Sequence, residues 1–431
     1  MRIKEFVDTE LKSYSVCDNK RSIPELMDGL KTTQRRLVYC MMKHPKRAKV
    51  SVIGPKASQM TNYPHGETSI MGAAVNMAQD FVGSNNLPLL NGIGMFGTIL
   101  DKESSSFRYI HAELNTKNSK IFNPNDDIVL QYKEKEGHQI EPKTYYPMFP
   151  LAFVNGCKGI GNGYSINLLP HDIKDLKKCA REYVRTGYIK TKLVPHFNGY
   201  KGKVERDGEQ IIITGVIEKV NSTTLRITEL PPKHEISKYK KLLFKLVDDK
   251  FIKGFKNNST KDGWNIEIKA TRETVKLDES VLLDKFKMID RMTQTVVFWN
   301  EGVLTQFKTP EHALETFFKH RLDIYHSRNK KMISRLKSEL NMMCHKINFI
   351  NLWNEESVTM RKFDKQSLIR YVTDEIDCSF EEAEPLIKMP VYNLTESEID
   401  KCRGKMRECE NNIQELLDQD VNKQYLKEIN F

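Results

Sequence analysis

Two helical seams constrain this chain most. Ile333, Leu336, Leu340, Met343, Ile347 and Ile350 step by 3, 4, 3, 4 and 3, and Ile399, Cys402, Met406, Cys409, Ile413 and Leu416 repeat the pattern. Such steps gather apolar side chains into a narrow stripe that a second helix must cover. About 48 residues separate the two series, enough for a small globular tip. The pattern predicts a long antiparallel coiled coil with that tip at its end; a local helical bundle is the alternative. Thr309-Pro310-Glu311 supplies an N-cap followed by proline for the first helix, and Thr395 with Glu398 a capping box for the second.

The middle of the chain reads differently. From about 145 to 300 the alternation is that of half-buried strands, as in Leu225-Arg226-Ile227-Thr228 and Trp264-Asn265-Ile266-Glu267-Ile268. Arg206-Asp207-Gly208-Glu209 is a hairpin turn before Ile211-Ile212-Ile213. Helical stretches are expected near 235–248 and 273–290. Further upstream, a turn and helix run from Ile23 to about Lys43, a basic loop spans 43–49, and a second helix covers about 68–81. Gly83 to Ser106 then reads as hairpin or loop. Two helices and a glycine-rich hairpin outline a winged helix-turn-helix. The fold class is therefore α+β and multidomain.

Charge is unevenly spread. The chain of 431 residues carries +11 in total, but 351–431 holds 11 Lys+Arg against 18 Asp+Glu, so the first 350 residues carry about +18. A basic body with an acidic end suits a polyanion partner, although general solubility explains the same balance. Eight scattered cysteines form no C-x-x-C pair, which fits reduced thiols. No apolar run is long enough to span a membrane, and the charged start is no signal peptide. A cytoplasmic place is expected.

Candidate chemistry centres on Phe107-Arg108-Tyr109-Ile110. Tyrosine hydroxyls ordinarily titrate near ~10, so one that attacks a phosphodiester needs its proton removed and a cation on the phosphate. Arg108 is adjacent and always charged; Arg35, Arg36, Lys31 and His65 are further candidates for phosphate contact. A phosphotyrosine conserves the energy of the broken bond, so the strand can be resealed without ATP at that step. Alone, an Arg-Tyr pair is commonplace. Gly92, Gly94 and Gly97 have G-x-G-x-x-G spacing, but no helical pattern follows and no Gly-Lys-Ser/Thr appears, so a hairpin is the better reading. The one D-x-D, Asp418-Gln419-Asp420, reads as a solvated face, so no metal site is expected in this chain.

In order and spacing, Arg21-Ser22-Ile23-Pro24, Asp28-Gly29-Leu30-Lys31, Gln34-Arg35-Arg36, Tyr63-Pro64-His65-Gly66-Glu67, Gly92 to Gly97 and Arg108-Tyr109 resemble the breakage-reunion subunit of type IIA DNA topoisomerases, the gyrase A and topoisomerase IV A type. Val154-Asn155-Gly156, Gly159 to Gly163, Pro170-His171-Asp172, Ile227 to Pro231 and Phe318 to Arg321 extend the resemblance. It implies that Tyr109 is the DNA-attacking tyrosine, with Arg108, His65 and Arg35 catalytic beside it. It also implies that Arg21, Lys31 and Arg36 bind DNA and that Ile160 wedges into a base step and bends the duplex. The implied domains are an N-terminal arm (1–20), a winged-helix DNA-cleavage domain (21–144), an α/β tower domain (145–308), a first coiled-coil helix (309–352), a globular tip or exit gate (353–394) and a second helix (395–431).

The departures inform as well. Tyr63 and Glu67 replace the usual histidine and aspartate of the bacterial His-Pro-His-Gly-Asp, and Gln34-Arg35 looks like eukaryotic and phage versions. Gly72 stands where bacterial enzymes place an acid that contacts quinolones through a water-metal bridge. Within the family the pattern looks most like the medium subunit of T4-like phage enzymes, which would act in the host cytoplasm. By resemblance the chain is a homodimer on double-stranded DNA, paired through the winged-helix domain and the tip. Mg2+ and ATP would be bound by a partner of the ATPase/TOPRIM (gyrase B-like) kind. A tyrosine recombinase would need its tyrosine near the C-terminus with an Arg/His set before it, and Tyr425 has no such neighbourhood. A non-catalytic winged-helix architectural protein with a dimerising coiled coil is the other class.

Overall fold

The computed structural model of the chain describes residues 3–430. It contains two compact units, one reaching Arg321 and including the segment from Glu428, the other Leu322–Lys427.

The first unit opens with helical residues from Ile3, through a π-helical turn at Val7–Leu11, into the helix Lys12–Ser22. Three helices follow: Thr32–Lys43, Val50–Thr61 and Glu67–Ala78. They pack on one another and bury Leu37, Val38, Met41, Ile53, Ala57, Ile70 and Ala74. The middle helix was not expected from sequence, because Gly54-Pro55 lies inside it and proline leaves one backbone acceptor without its helical donor. Packing outweighs that cost: a Cβ on Gly54 would lie 2.5 Å from Met71 Cγ, so the glycine sets the close crossing of the second and third helices.

A three-stranded antiparallel sheet closes this region, in the order Ala48–Lys49, His111–Leu114, Leu90–Ile93. A hairpin unmarked by any strand alternation, Tyr132–Lys135 with His138–Pro142, turns at Glu136 and Gly137, both with positive φ. A second hairpin pairs Cys157–Ile160 with Ser165–Leu168.

Beyond it, the expected hairpin forms between Lys203–Asp207 and Gln210–Thr214, joined by Ile289–Thr293. A four-stranded antiparallel sheet has the order Val216–Asn221, Thr224–Glu229, Ile266–Ala270, Ile252–Asn257. Leu225, Ile227, Ile266 and Ile268 point into one core with Tyr239 and Leu243 of the helix Ile236–Asp248. The helix expected over 273–290 is broken into Arg272–Lys276 and Glu279–Lys285, and its last residues enter the strand Ile289–Thr293.

The second unit is helical. The helix Pro310–Met360 supplies its N-terminal part to the first unit and the rest to the second, with a non-helical residue at Glu356. Thr309 caps it through its Oγ1, 3.2 Å from the His312 N–H. Glu396–Asp418 and Val421–Glu428 return along it: Asn329 Nδ2 donates to Gln424 Oε1 at 3.0 Å, and Lys346 Nζ lies 2.7 Å from Glu398 Oε1. Early thus meets late and late meets early, which makes the pairing antiparallel. Glu398 is spent on Lys346, while Thr395 alone caps the returning helix. Between them Lys365–Ile376 and Phe380–Ile387 build a small core of Phe349, Met360, Ile369, Val372, Ala383 and Leu386.

Candidate functional site

Tyr109 sits in a turn just before the central strand His111–Leu114 and is 71% exposed. The turn is fixed on both sides. The Tyr109 N–H donates to Ser106 O at 2.9 Å, and the first residues of the helix Val50–Thr61 donate to its flanks, Val50 N–H to Ile110 O (3.0 Å) and Ser51 N–H to Phe107 O (3.2 Å). Ile110 is buried and anchors the chain beneath the phenol. The glycines upstream serve this packing. Gly94 has φ +114°, and its missing Cβ would press on Ile110 Cγ2 at 3.1 Å; one on Gly92 would strike the Phe96 ring. They cradle side chains of this chain and precede no helix, so they form no phosphate loop.

Arg108 is exposed beside the tyrosine, its Cζ 5.9 Å from the Tyr109 ring centroid. Lys46, Arg47 and Lys49 are exposed at the edge strand of the same sheet, and Lys49 stands opposite His111 in register. His65 is exposed in the turn that leads into Glu67–Ala78.

The remaining candidates divide. Arg21 is exposed in the last turn of Lys12–Ser22. Lys31 is half-buried and donates through Nζ to Lys158 O at 2.7 Å. Arg35 is buried: Nε reaches Asp28 Oδ2 at 2.5 Å and Nη2 reaches Asp28 Oδ1 at 2.9 Å and Leu30 O at 3.0 Å. Its guanidinium is committed to Asp28, and no phosphate contact is assigned to it. Arg36 lies with its side chain 12% exposed, held by Glu141 (3.0 Å) and over the Tyr63 ring (5.0 Å).

Ile160 is 75% exposed at the end of its hairpin. That hairpin is seated on the helix Lys12–Ser22: Asn19 Nδ2 donates to Asn162 O at 3.0 Å, and Asn162 Nδ2 to Ser15 Oγ at 2.9 Å. A Cβ on Gly159 would lie 2.1 Å from Ser22 O, and one on Gly161 2.1 Å from Asn19 Oδ1.

The supporting residues were not legible as such. Asp28 accepts from Leu30 N, Tyr145 N and Arg35, and thereby organises the whole Asp28-Gly29-Leu30-Lys31 turn. Burial raises the Glu25 carboxyl to about 7 in the same turn, although Arg35 opposes the shift. Burial also lowers the fully buried His171 imidazole to about 4. Among the described residues no three His, Cys, Asp or Glu side chains gather as a metal site. No helix among them is long and apolar enough to cross a membrane.

Known proteins share this mixed α/β frame. The family model for the A subunits of DNA gyrase and topoisomerase IV matches residues 21–430. DNA topoisomerase 2 of Plasmodium falciparum is 31% identical over 99% of this chain and 34% of its own length. DNA topoisomerase 2-alpha of Gallus gallus is 33% identical over 85% of the chain and 24% of its own. A crystal structure of the DNA-binding, cleavage and re-ligation domain of Plasmodium falciparum topoisomerase II superposes with a TM-score of 0.86 at 30% identity, over 99% of this chain and 63% of that one. The chain belongs to the type IIA topoisomerase family that contains the A subunits of DNA gyrase and topoisomerase IV. It spans about a third or less of the length of these curated relatives.

Proposed function

We propose that the chain is the DNA-cleavage and rejoining subunit of an ATP-dependent type IIA DNA topoisomerase, with Tyr109 as its nucleophile. The observation that carries this reading is the tyrosine turn. Its hydroxyl is free to meet solvent and DNA, while its backbone is held by a strand and a helix start. The phenol gives up its proton as its oxygen attacks phosphorus, the bond from phosphorus to a deoxyribose oxygen breaks, and that oxygen takes up a proton and leaves as a hydroxyl. Return of the same hydroxyl expels the tyrosine and restores the strand.

Arg108 stabilises the charge that builds on the phosphate, and His65 lies at the same reacting phosphate. Arg21, Lys31 and the exposed Lys46, Arg47 and Lys49 bind the backbone. Ile160, apolar and exposed on a seated hairpin, wedges into a base step. Two copies pair, through the winged-helix domain (21–144) and the tip (353–394), so that two tyrosines cut both strands. A second duplex passes through the break. The 145–308 segment is the tower, and the paired helices 309–352 and 395–431 form the coiled coil. Mg2+ and ATP belong to an ATPase/TOPRIM partner. Gln34-Arg35, which looks like eukaryotic and phage versions, and Tyr63, which departs from the bacterial motif, are compatible with a protein of the T4-like phage kind acting in the host cytoplasm.

Tyr109→Phe removes one hydroxyl and no charge. With the partner present it is expected to abolish covalent protein–DNA adducts on denaturing gels while leaving DNA binding near the parent level, since binding rests on phosphate contacts. Adducts formed by the variant would overturn the assignment.

A further inference from the structure

We infer that Arg36, Tyr63 and Glu141 are positioning residues that set the His65 imidazole, and that Arg36 acts through Tyr63 rather than on DNA. This rests on the reading of the Tyr109 region as the cleavage site. Tyr63 lies between the two groups it would couple. Its ring is edge-on to His65, with centroids 5.2 Å apart at 75°, and Arg36 Cζ lies 5.0 Å from the same ring. The phenol oxygen is 3.2 Å from Thr33 Oγ1, on the helix that also carries Arg36.

Behind Arg36 stands a fully buried carboxylate. Glu141 Oε1 accepts from Arg36 Nε at 3.0 Å and from Lys133 Nζ at 3.2 Å, and its own side chain is 0% exposed. Both Glu141 and Lys133 belong to the hairpin Tyr132–Lys135 with His138–Pro142. The same hairpin grips the turn from below: Asn62, left-handed at φ 45°, donates through Nδ2 to Glu136 Oε1 at 3.0 Å and accepts from Lys135 Nζ at 3.2 Å. Asn62 immediately precedes Tyr63. The turn that presents His65 is thus held at two points by one hairpin, once through backbone at Asn62 and once through the Glu141–Arg36–Tyr63 stack.

A guanidinium turned inward to a buried carboxylate and an aromatic face is a poor phosphate ligand and a good brace. The distinction is measurable. A phosphate contact contributes about one unit to the log–log salt slope of DNA binding, whereas a brace contributes nothing. Displacement of a catalytic group by about 1 Å can cost up to ~10²-fold in rate.

The test uses the full chain, alone for binding and with its ATPase/TOPRIM partner for cleavage. Arg36→Gln is expected to leave the salt slope unchanged. Arg36→Gln and Tyr63→Leu are both expected to slow single-turnover adduct formation on the order of 10-fold or more, while Tyr63→Phe, which keeps the ring, stays near the parent rate. Combining either slow variant with His65→Ala should be no slower than His65→Ala alone. A salt slope reduced by about one in Arg36→Gln, or losses that multiply with His65→Ala, would overturn the inference.

If Arg36→Gln fails to fold, the Tyr63→Leu and His65→Ala cycle decides the matter. Activity-independent evidence comes from histidine-labelled NMR of the chain alone. The His65 ring resonance should move in Tyr63→Leu and in Arg36→Gln; an unmoved resonance refutes the brace. Loss of the Tyr109 reading would appear separately, as adducts that persist in Tyr109→Phe.

Discussion

Asp28 shows how much of this site is built below the surface that DNA would touch. Its carboxylate is fully buried, and it holds Arg35 together with two backbone N–H groups. Removing it leaves a guanidinium without its counter-charge in the interior. Asp28→Ala is expected to cost about 3–5 kcal/mol, read as a lower urea midpoint with an unchanged slope. Three residues earlier, Glu25 works in the opposite sense. Its folded carboxyl is raised by burial to about 7 from an ordinary 4.5, so the folded state resists its ionisation. Its contribution to stability is complete below about pH 4.5 and is lost as pH rises through 7. Glu25→Gln should therefore stabilise the chain at pH 8, by up to about 3 kcal/mol, and make little difference at pH 4.5. Paired urea titrations at the two pH values check both the sign and the window.

Elements were legible where their own pattern dominates and illegible where packing does. The two 3–4 seams become the antiparallel pair of the second unit, and Ile236–Asp248 forms where its helical spacing predicts. Val50–Thr61 was invisible because Gly54-Pro55 argues against a helix, and only the near contact with Met71 explains why glycine sits there. The hairpin at 132–142 has no alternation to announce it; Glu136-Gly137 was the available signal. Of the candidate site residues, Tyr109, Arg108 and His65 are exposed, whereas Arg35 and Arg36 turn inward. Sequence presents a guanidinium as a cation, and burial decides what it answers to. The seam itself is thinner than its periodicity suggests. Leu336, Leu340 and Met343 are only half-buried, because two helices cover one face and leave the flanks to water. Leu340→Asp is therefore expected to cost about 1–2 kcal/mol, less than a fully buried charge. Hydrogen exchange should report the loosening within Leu322–Lys427 first.

At the scale of the whole molecule, the proposed function divides DNA binding and breaking from strand passage. The first 350 residues carry the positive charge and the tyrosine turn. The described residues hold no cluster of three metal-ligating side chains, and the sequence has no Gly-Lys-Ser/Thr nucleotide loop. The purified chain, given Mg2+ and ATP, is expected to bind plasmid DNA without relaxing or decatenating it. Adding the ATPase/TOPRIM partner should supply both activities. Robust ATP-dependent strand passage by the chain alone would sink the division of labour.

The seating of the Ile160 hairpin has a mechanical meaning. Gly159 meets the Ser22 carbonyl and Gly161 the Asn19 side chain, each with no Cβ of its own between, so the hairpin lies close against the helix. In the proposed complex, a duplex bent over Ile160 would press this hairpin against the helix Lys12–Ser22. A Cβ added at either glycine would have to push hairpin and helix apart.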